Sequence, residues 1–121
     1  MKRDIRDYLN DILEECNYLM RASGELTFET FIQNEHLKKA FLKSLENIGE
    51  AVKKIPKKLK DKYSKINWRN VAGIRDILVH EYFGVNYKVI WETIKEDVPK
   101  LKDVIEEIIE KMKNRGNKSN R

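Results

Sequence analysis

Four side chains of distinct chemistry fall between positions 75 and 82: Arg75, Asp76, His80 and Tyr82. Arginine is a permanent cation with a planar fork of donors, suited to holding an anion. Histidine gains and loses its proton near neutral pH, so His80 is a candidate general base or acid. Tyr82 adds a phenol hydroxyl. Asp76 precedes His80 by one helical turn, where its carboxylate can reach the imidazole, fix its tautomer and favour its charged form. Acid–base chemistry beside a bound anion is what these residue types could perform.

Helix geometry constrains that reading. Arg75 and Tyr82 are seven positions apart and nearly eclipse one another. His80 follows Arg75 by five positions, roughly 140° around the axis. One straight helix therefore cannot aim all three at one small substrate atom. A kink towards Gly84 would help. A two-fold dimer with apposed helices would help more, because each subunit would add an Arg, a His and a Tyr to a shared cleft. Geometry thus predicts a homodimer. The same residues also fit a solvated histidine, an exposed Arg–Asp pair of little energetic value and a tyrosine at the edge of a core. Spacing alone leaves both readings open.

The elements that must carry these residues read as helices. Ile5, Tyr8, Leu9, Ile12, Leu13, Cys16, Leu19 and Met20 recur at three- and four-residue steps, the stripe of one amphipathic helix. Ser23-Gly24 ends it, with Gly24 expected in the left-handed conformation. Thr27 is placed to cap a second helix whose spacing runs from Phe28 to about Lys54, where Pro56 stops it. The stretch 56–66 is lysine-rich and weakly patterned and reads as a loop or frayed turn. Asn67 is placed to cap a third helix from Trp68 to Tyr82, the helix that carries the candidate chemistry. Gly84-Val85-Asn86 breaks it and Asn86 caps the next. Asp97-Val98-Pro99 reads as a restart, with Asp97 capping a last helix to about Met112. No alternating strand pattern appears. The expected fold is an all-α, four- to five-helix up-and-down bundle formed by residues 1–113, followed by a disordered tail over 114–121.

Composition bounds the function. The chain has 121 residues, 37% of them charged, with a formal net charge of +5. That suits one domain and an anionic partner such as RNA without proving one. The single cysteine, Cys16, excludes an intrachain disulfide, and its apolar neighbours suggest a buried thiol rather than a nucleophile. One cysteine and two histidines speak against structural zinc, and no cofactor is implied. The sequence shows no membrane-span pattern and no signal-peptide core, so the expectation is a cytoplasmic protein without a membrane partner.

A second feature is the cluster Lys53, Lys54, Lys57, Lys58, Lys60, Lys62 and Lys65 within 13 residues, which contains one acid, Asp61. It could steer RNA, dock an acidic protein surface, or simply remain solvated. Tyr63 is its one interleaved aromatic. His36 has no matching partner in the sequence and reads as structural or exposed.

The order Arg75, four residues, His80, one residue, Tyr82 resembles the R-x4-H-x-Y motif of HepT-like toxins, a branch of the HEPN superfamily. The polar Asp76 directly after the arginine fits as well. The flanks look alike: Trp68, Gly73, Phe83-Gly84-Val85-Asn86-Tyr87, Val89-Ile90-Trp91 and Asp97-Val98-Pro99-Lys100-Leu101. The likeness runs from Ile5 to about Met112.

This resemblance implies a helical, homodimeric ribonuclease whose RNA-cleaving site lies at the subunit interface and needs no metal. It implies Arg75 and His80 as catalytic residues, with Asp76 supporting. It also implies a partner, an MNT-type nucleotidyltransferase antitoxin, that silences the toxin by transferring AMP to Tyr82. Within that frame Lys53, Lys54, Lys57, Lys58 and Lys60 are candidate RNA contacts. A competing expectation is a non-catalytic helical subunit that binds nucleotide or protein beside a nucleotidyltransferase.

Overall fold

The computed structural model describes residues 3–73 and 84–119, with side chains as far as Arg115. The chain is all-α, with no strand among these residues. In order come α1 (Ile5–Ser23), α2 (Phe28–Gln33), α3 (Glu35–Lys53), α4 (Lys57–Lys60) and α5, described over 68–73. After the segment 74–83 follow α6 (Tyr87–Glu92), a π-helical segment (Thr93–Asp97) and α7 (Val98–Ser119).

The expected stripe of α1 is what the fold buries. Leu9, Ile12, Cys16 and Leu19 are fully enclosed, and α1 packs against both α3 and α7. Facing it are Phe41, Leu45, Ile48 and Val52 of α3 and Leu101, Val104, Ile105 and Ile108 of α7. Contacts set the directions. Ser44 and Asn47 meet Glu15, while Arg3 and Lys54 share one surface cleft, so α3 runs antiparallel to α1. Lys95 Nζ donates to the Ser23 carbonyl at 2.9 Å, and Met112 lies beside Ile5, so α7 also runs against α1. This is the alternation expected of an up-and-down bundle. No helix among the described residues is long and apolar enough to cross a membrane.

Asp4 opens α1 with a reciprocal box: its carboxylate accepts from the Arg6 and Asp7 amides, and the Asp7 carboxylate accepts from the Asp4 amide. Thr27 caps α2 as expected, accepting from the Thr30 amide.

Four local expectations are corrected. The predicted second helix is two helices, because Asn34 leaves the helical region (φ −104°, ψ 101°) and its side chain caps α3 by accepting from the Leu37 amide at 3.0 Å. The stretch after Pro56, expected as a loop or frayed turn, holds the short helix α4, closed by hydrogen bonds from the Leu59 and Lys60 amides to the Pro56 carbonyl. Gly24 is right-handed (φ −54°, ψ −43°), and what favours glycine there is space, since a Cβ would meet the Met20 carbonyl oxygen at 3.2 Å.

The fourth correction concerns Asp97, which does not restart a helix. The chain continues from α6 into α7 through a π turn. Pro99 has no N–H for the carbonyl one turn back and its ring crowds that carbonyl. The helix widens there, and the Val98 amide reaches the Thr93 carbonyl instead. The Thr93 hydroxyl satisfies the Val89 carbonyl at 2.8 Å. The last helix also runs past Asn114 to Ser119.

An aromatic cluster joins α2, α3 and α6. Phe31 stacks on Phe41 and on Trp91, each with ring centroids 5.2 Å apart, and meets Tyr87 edge-on at 6.3 Å. These rings fix where α6 begins.

Cys16 is fully buried in the core. Burial pushes its thiol from the ordinary 9.0 up to about 12, with the nearby Lys102 pulling the other way. The folded value lies above the unfolded one, so the stability gained by burying a neutral thiol is complete below about pH 9. It is lost as pH rises from there towards 12. Urea midpoints measured from pH 8 to 11 should therefore fall more steeply for the natural chain than for Cys16→Ala; parallel slopes would contradict this.

Candidate functional site

Arg75, Asp76, His80 and Tyr82 lie outside the described residues. What the structure describes is the frame that delivers the chain to position 74 and receives it at 84, together with the lysine-rich segment.

The entry side begins at Asn67, which caps α5 as expected: its Oδ1 accepts from the Asn70 amide at 3.1 Å, and its carbonyl accepts from the Val71 amide. Trp68 follows, 9% exposed. Its indole N–H lies 3.1 Å from two carbonyl oxygens, those of Lys60 and Tyr63, and donates to both. One donor thus joins the first turn of α5 to the end of α4 and the turn beyond it. Val71 and Ala72 lean on the core, as does Ile66 just before the cap.

The exit side is held as firmly. Asn86 caps α6, its Oδ1 accepting from the Lys88 and Val89 amides at 3.1 and 3.3 Å. Val85 and Tyr87 pack against the core. The Lys38 ammonium sits 4.8 Å from the Tyr87 ring centroid, a cation held over an aromatic face. Both flanks of the 74–83 segment are therefore anchored to one body.

The five candidate lysines fall at one end of the bundle. Lys53 closes α3 and Lys54 is its C-cap; Lys57, Lys58 and Lys60 form α4. Lys57 and Asp61 make an ion pair at 3.1 Å, exposed at both ends and so worth little. Lys54 and Lys58 are exposed and Lys60 is half-buried. Nearby, the Lys111 ammonium lies 5.4 Å from the Tyr63 ring centroid. Its hydrogen bond to Glu107, assisted by Tyr63, raises its pKa above the ordinary lysine value. His36 is exposed on α3, in line with its sequence reading.

Sequence reasoning valued Trp68 only as part of a resemblance. Its role as a hydrogen-bond donor had one available signal: a tryptophan directly after a capping asparagine, where a buried indole N–H requires an acceptor.

Comparison with known proteins agrees with this frame. The profile of the family described as "Ribonuclease HepT-like" matches residues 12–108. A protein of Caldanaerobacter subterraneus subsp. tengcongensis named "Putative RNase" is 49% identical over 108 residues, covering 89% of this chain and 96% of that one. A "Putative RNase" of Methanocaldococcus jannaschii is 43% identical over 118 residues, covering 98% of each chain. A "Probable ribonuclease HepT" of Thermococcus cleftensis is 43% identical over 108 residues, covering 89% of this chain and 98% of that one. No solved structure matches. A profile match across most of the chain, with close relatives aligned nearly end to end, establishes that this chain belongs to the HepT-like ribonuclease family.

Proposed function

We propose that this chain is a metal-independent endoribonuclease, the toxin of a HEPN/MNT toxin–antitoxin module. The observation that carries the proposal is the complete series Arg75, His80, Tyr82 in a chain of the HepT-like ribonuclease family. The tethered flanks and the lysines of α4 support it, since a basic surface draws a polyanion towards the domain that carries the motif.

Cleavage would proceed by transfer within the RNA. His80 takes the proton of a ribose 2′-hydroxyl. The freed oxygen attacks the adjacent phosphorus and the bond to the 5′-oxygen breaks. Arg75 stabilises the charge that gathers on the non-bridging oxygens. His80 of the partner subunit protonates the leaving oxygen, which gives the homodimer a chemical purpose. The products are a 2′,3′-cyclic phosphate and a 5′-hydroxyl. Asp76 orients His80.

Silencing would act at Tyr82. A nucleotidyltransferase antitoxin moves AMP from ATP to the phenol oxygen and releases pyrophosphate. The added negative charge and bulk repel RNA from the cleft while leaving the fold intact.

Replacing His80 by Ala should lower RNA cleavage by about 10²-fold or more with an unchanged circular dichroism spectrum. The assay is run with EDTA present. Retained cleavage by the variant would remove His80 from the mechanism, and loss of natural-chain activity in EDTA would overturn metal independence. Incubation with ATP and the partner nucleotidyltransferase should add the mass of AMP to the peptide holding Tyr82, and Tyr82→Phe should stay active under that treatment. Modification at Tyr63 or Tyr87 instead would refute the assignment.

A further inference from the structure

The two larger clefts found among the described residues differ in charge. The larger, about 970 Å³ along α1 and α3, mixes the acids Asp11, Glu14, Glu15 and Glu50 with the cations Arg3, Arg21 and Lys54. Its Arg3 is tied to Asp11 at 2.7 Å. Four acids against three cations leave this lining without an excess of positive charge.

The smaller, about 660 Å³, is different in kind. Its cations are Lys65, Arg69 and Lys100, set against one acid, Asp97, among the described lining residues. All three cationic side chains are exposed and make no hydrogen bond or ion pair among the described residues. The floor is apolar, formed by buried Ile48, Ile66, Val98 and Leu101. Asn67 and Asn70 supply amides at the wall. Asn67 Oδ1 is occupied by the helix cap, which leaves its NH2 and the Asn70 side chain to meet a ligand. The volume lies in the range of small-ligand sites, and an apolar floor with a few polar groups and cations at the rim fits a nucleotide: a base below, phosphates above.

Position adds a second argument. Gly73 lines this cleft, and a Cβ built on it meets nothing within 4 Å. Arg75 follows Gly73 by two positions. Two consecutive Cα–Cα steps span at most about 7.6 Å. Chain length alone therefore ties the cleft to the residue proposed to hold the scissile phosphate. The π turn contributes Thr93 and Asp97 to the opposite wall.

We propose that this cleft between α5 and the start of α7 is an RNA subsite that seats a nucleotide neighbouring the cleaved bond. Lys65, Arg69 and Lys100 hold its phosphates, and Asn70 reads the edge of its base. The inference rests on the ribonuclease reading for its role in cleavage, but not for its ability to bind RNA.

The test uses the full chain and a labelled, uncleavable 2′-O-methyl RNA oligonucleotide followed by fluorescence anisotropy. Lys100→Glu reverses a charge far in sequence from the motif. Lys43→Glu, on the exposed side of α3, is the matched control. Gly73→Leu fills the cleft without changing charge. Lys100→Glu should raise the Kd about tenfold and reduce the salt slope by about 1, while Lys43→Glu leaves both unchanged. With cleavable RNA, Lys100→Glu should raise KM with kcat largely kept. Gly73→Leu should weaken binding too; if it does not fold, the charge pair decides alone. Equal binding by Lys100→Glu and Lys43→Glu would overturn the subsite. A natural chain that binds RNA in a Lys100-dependent way yet never cleaves it would sink the ribonuclease reading and leave the subsite standing.

Discussion

One indole N–H organises the functional end of this molecule. Trp68 donates to the carbonyls of Lys60 and Tyr63, both at 3.1 Å, from a position almost closed to solvent. A buried donor left without an acceptor costs about 1–3 kcal/mol, so the three segments are held in one arrangement. The basic turn cannot drift from the start of α5 without breaking this contact. The chain consequently enters α5 from a defined place, next to the lysine-rich turn.

The other end of that segment depends on packing rather than on one bond. Tyr87 is gripped between Phe31 and the Lys38 ammonium, and Trp91 stacks on Phe31. From there α6 passes into α7 without interruption, through a π turn that absorbs Pro99. The turn also places Lys95 to satisfy the Ser23 carbonyl, which closes the end of α1. Core, turn and cleft are thus parts of one connected structure: α7 seals the bundle with one face and borders the proposed RNA subsite with its first turn.

Much of this was legible in the sequence. The stripes of α1 and α7 are the core, and the asparagines at 67 and 86 are caps. The breaks were less legible because they turn on competition between local and tertiary effects. Asn34 interrupts an otherwise regular apolar pattern, and only its cap geometry reveals two helices. Asp97-Pro99 carries the signature of a helix start, but a widened turn keeps the helix continuous instead. Gly24 looks like a left-handed terminator, whereas its use is close approach to a carbonyl. The motif at 75–82 was read from residue order and from resemblance. The cleft cations Arg69 and Lys100 could not be read that way, because they come from helices far apart in sequence and meet only in the fold.

Trp68 fastens the start of α5 to the turn after α4, within the core-anchored frame that flanks the proposed motif. Trp68→Phe keeps a large apolar ring and removes only the donor. The decisive measurement is RNA cleavage by this variant beside that of the natural chain at matched helicity. A native circular dichroism spectrum with cleavage several-fold lower is expected. Cleavage equal to that of the natural chain would contradict it.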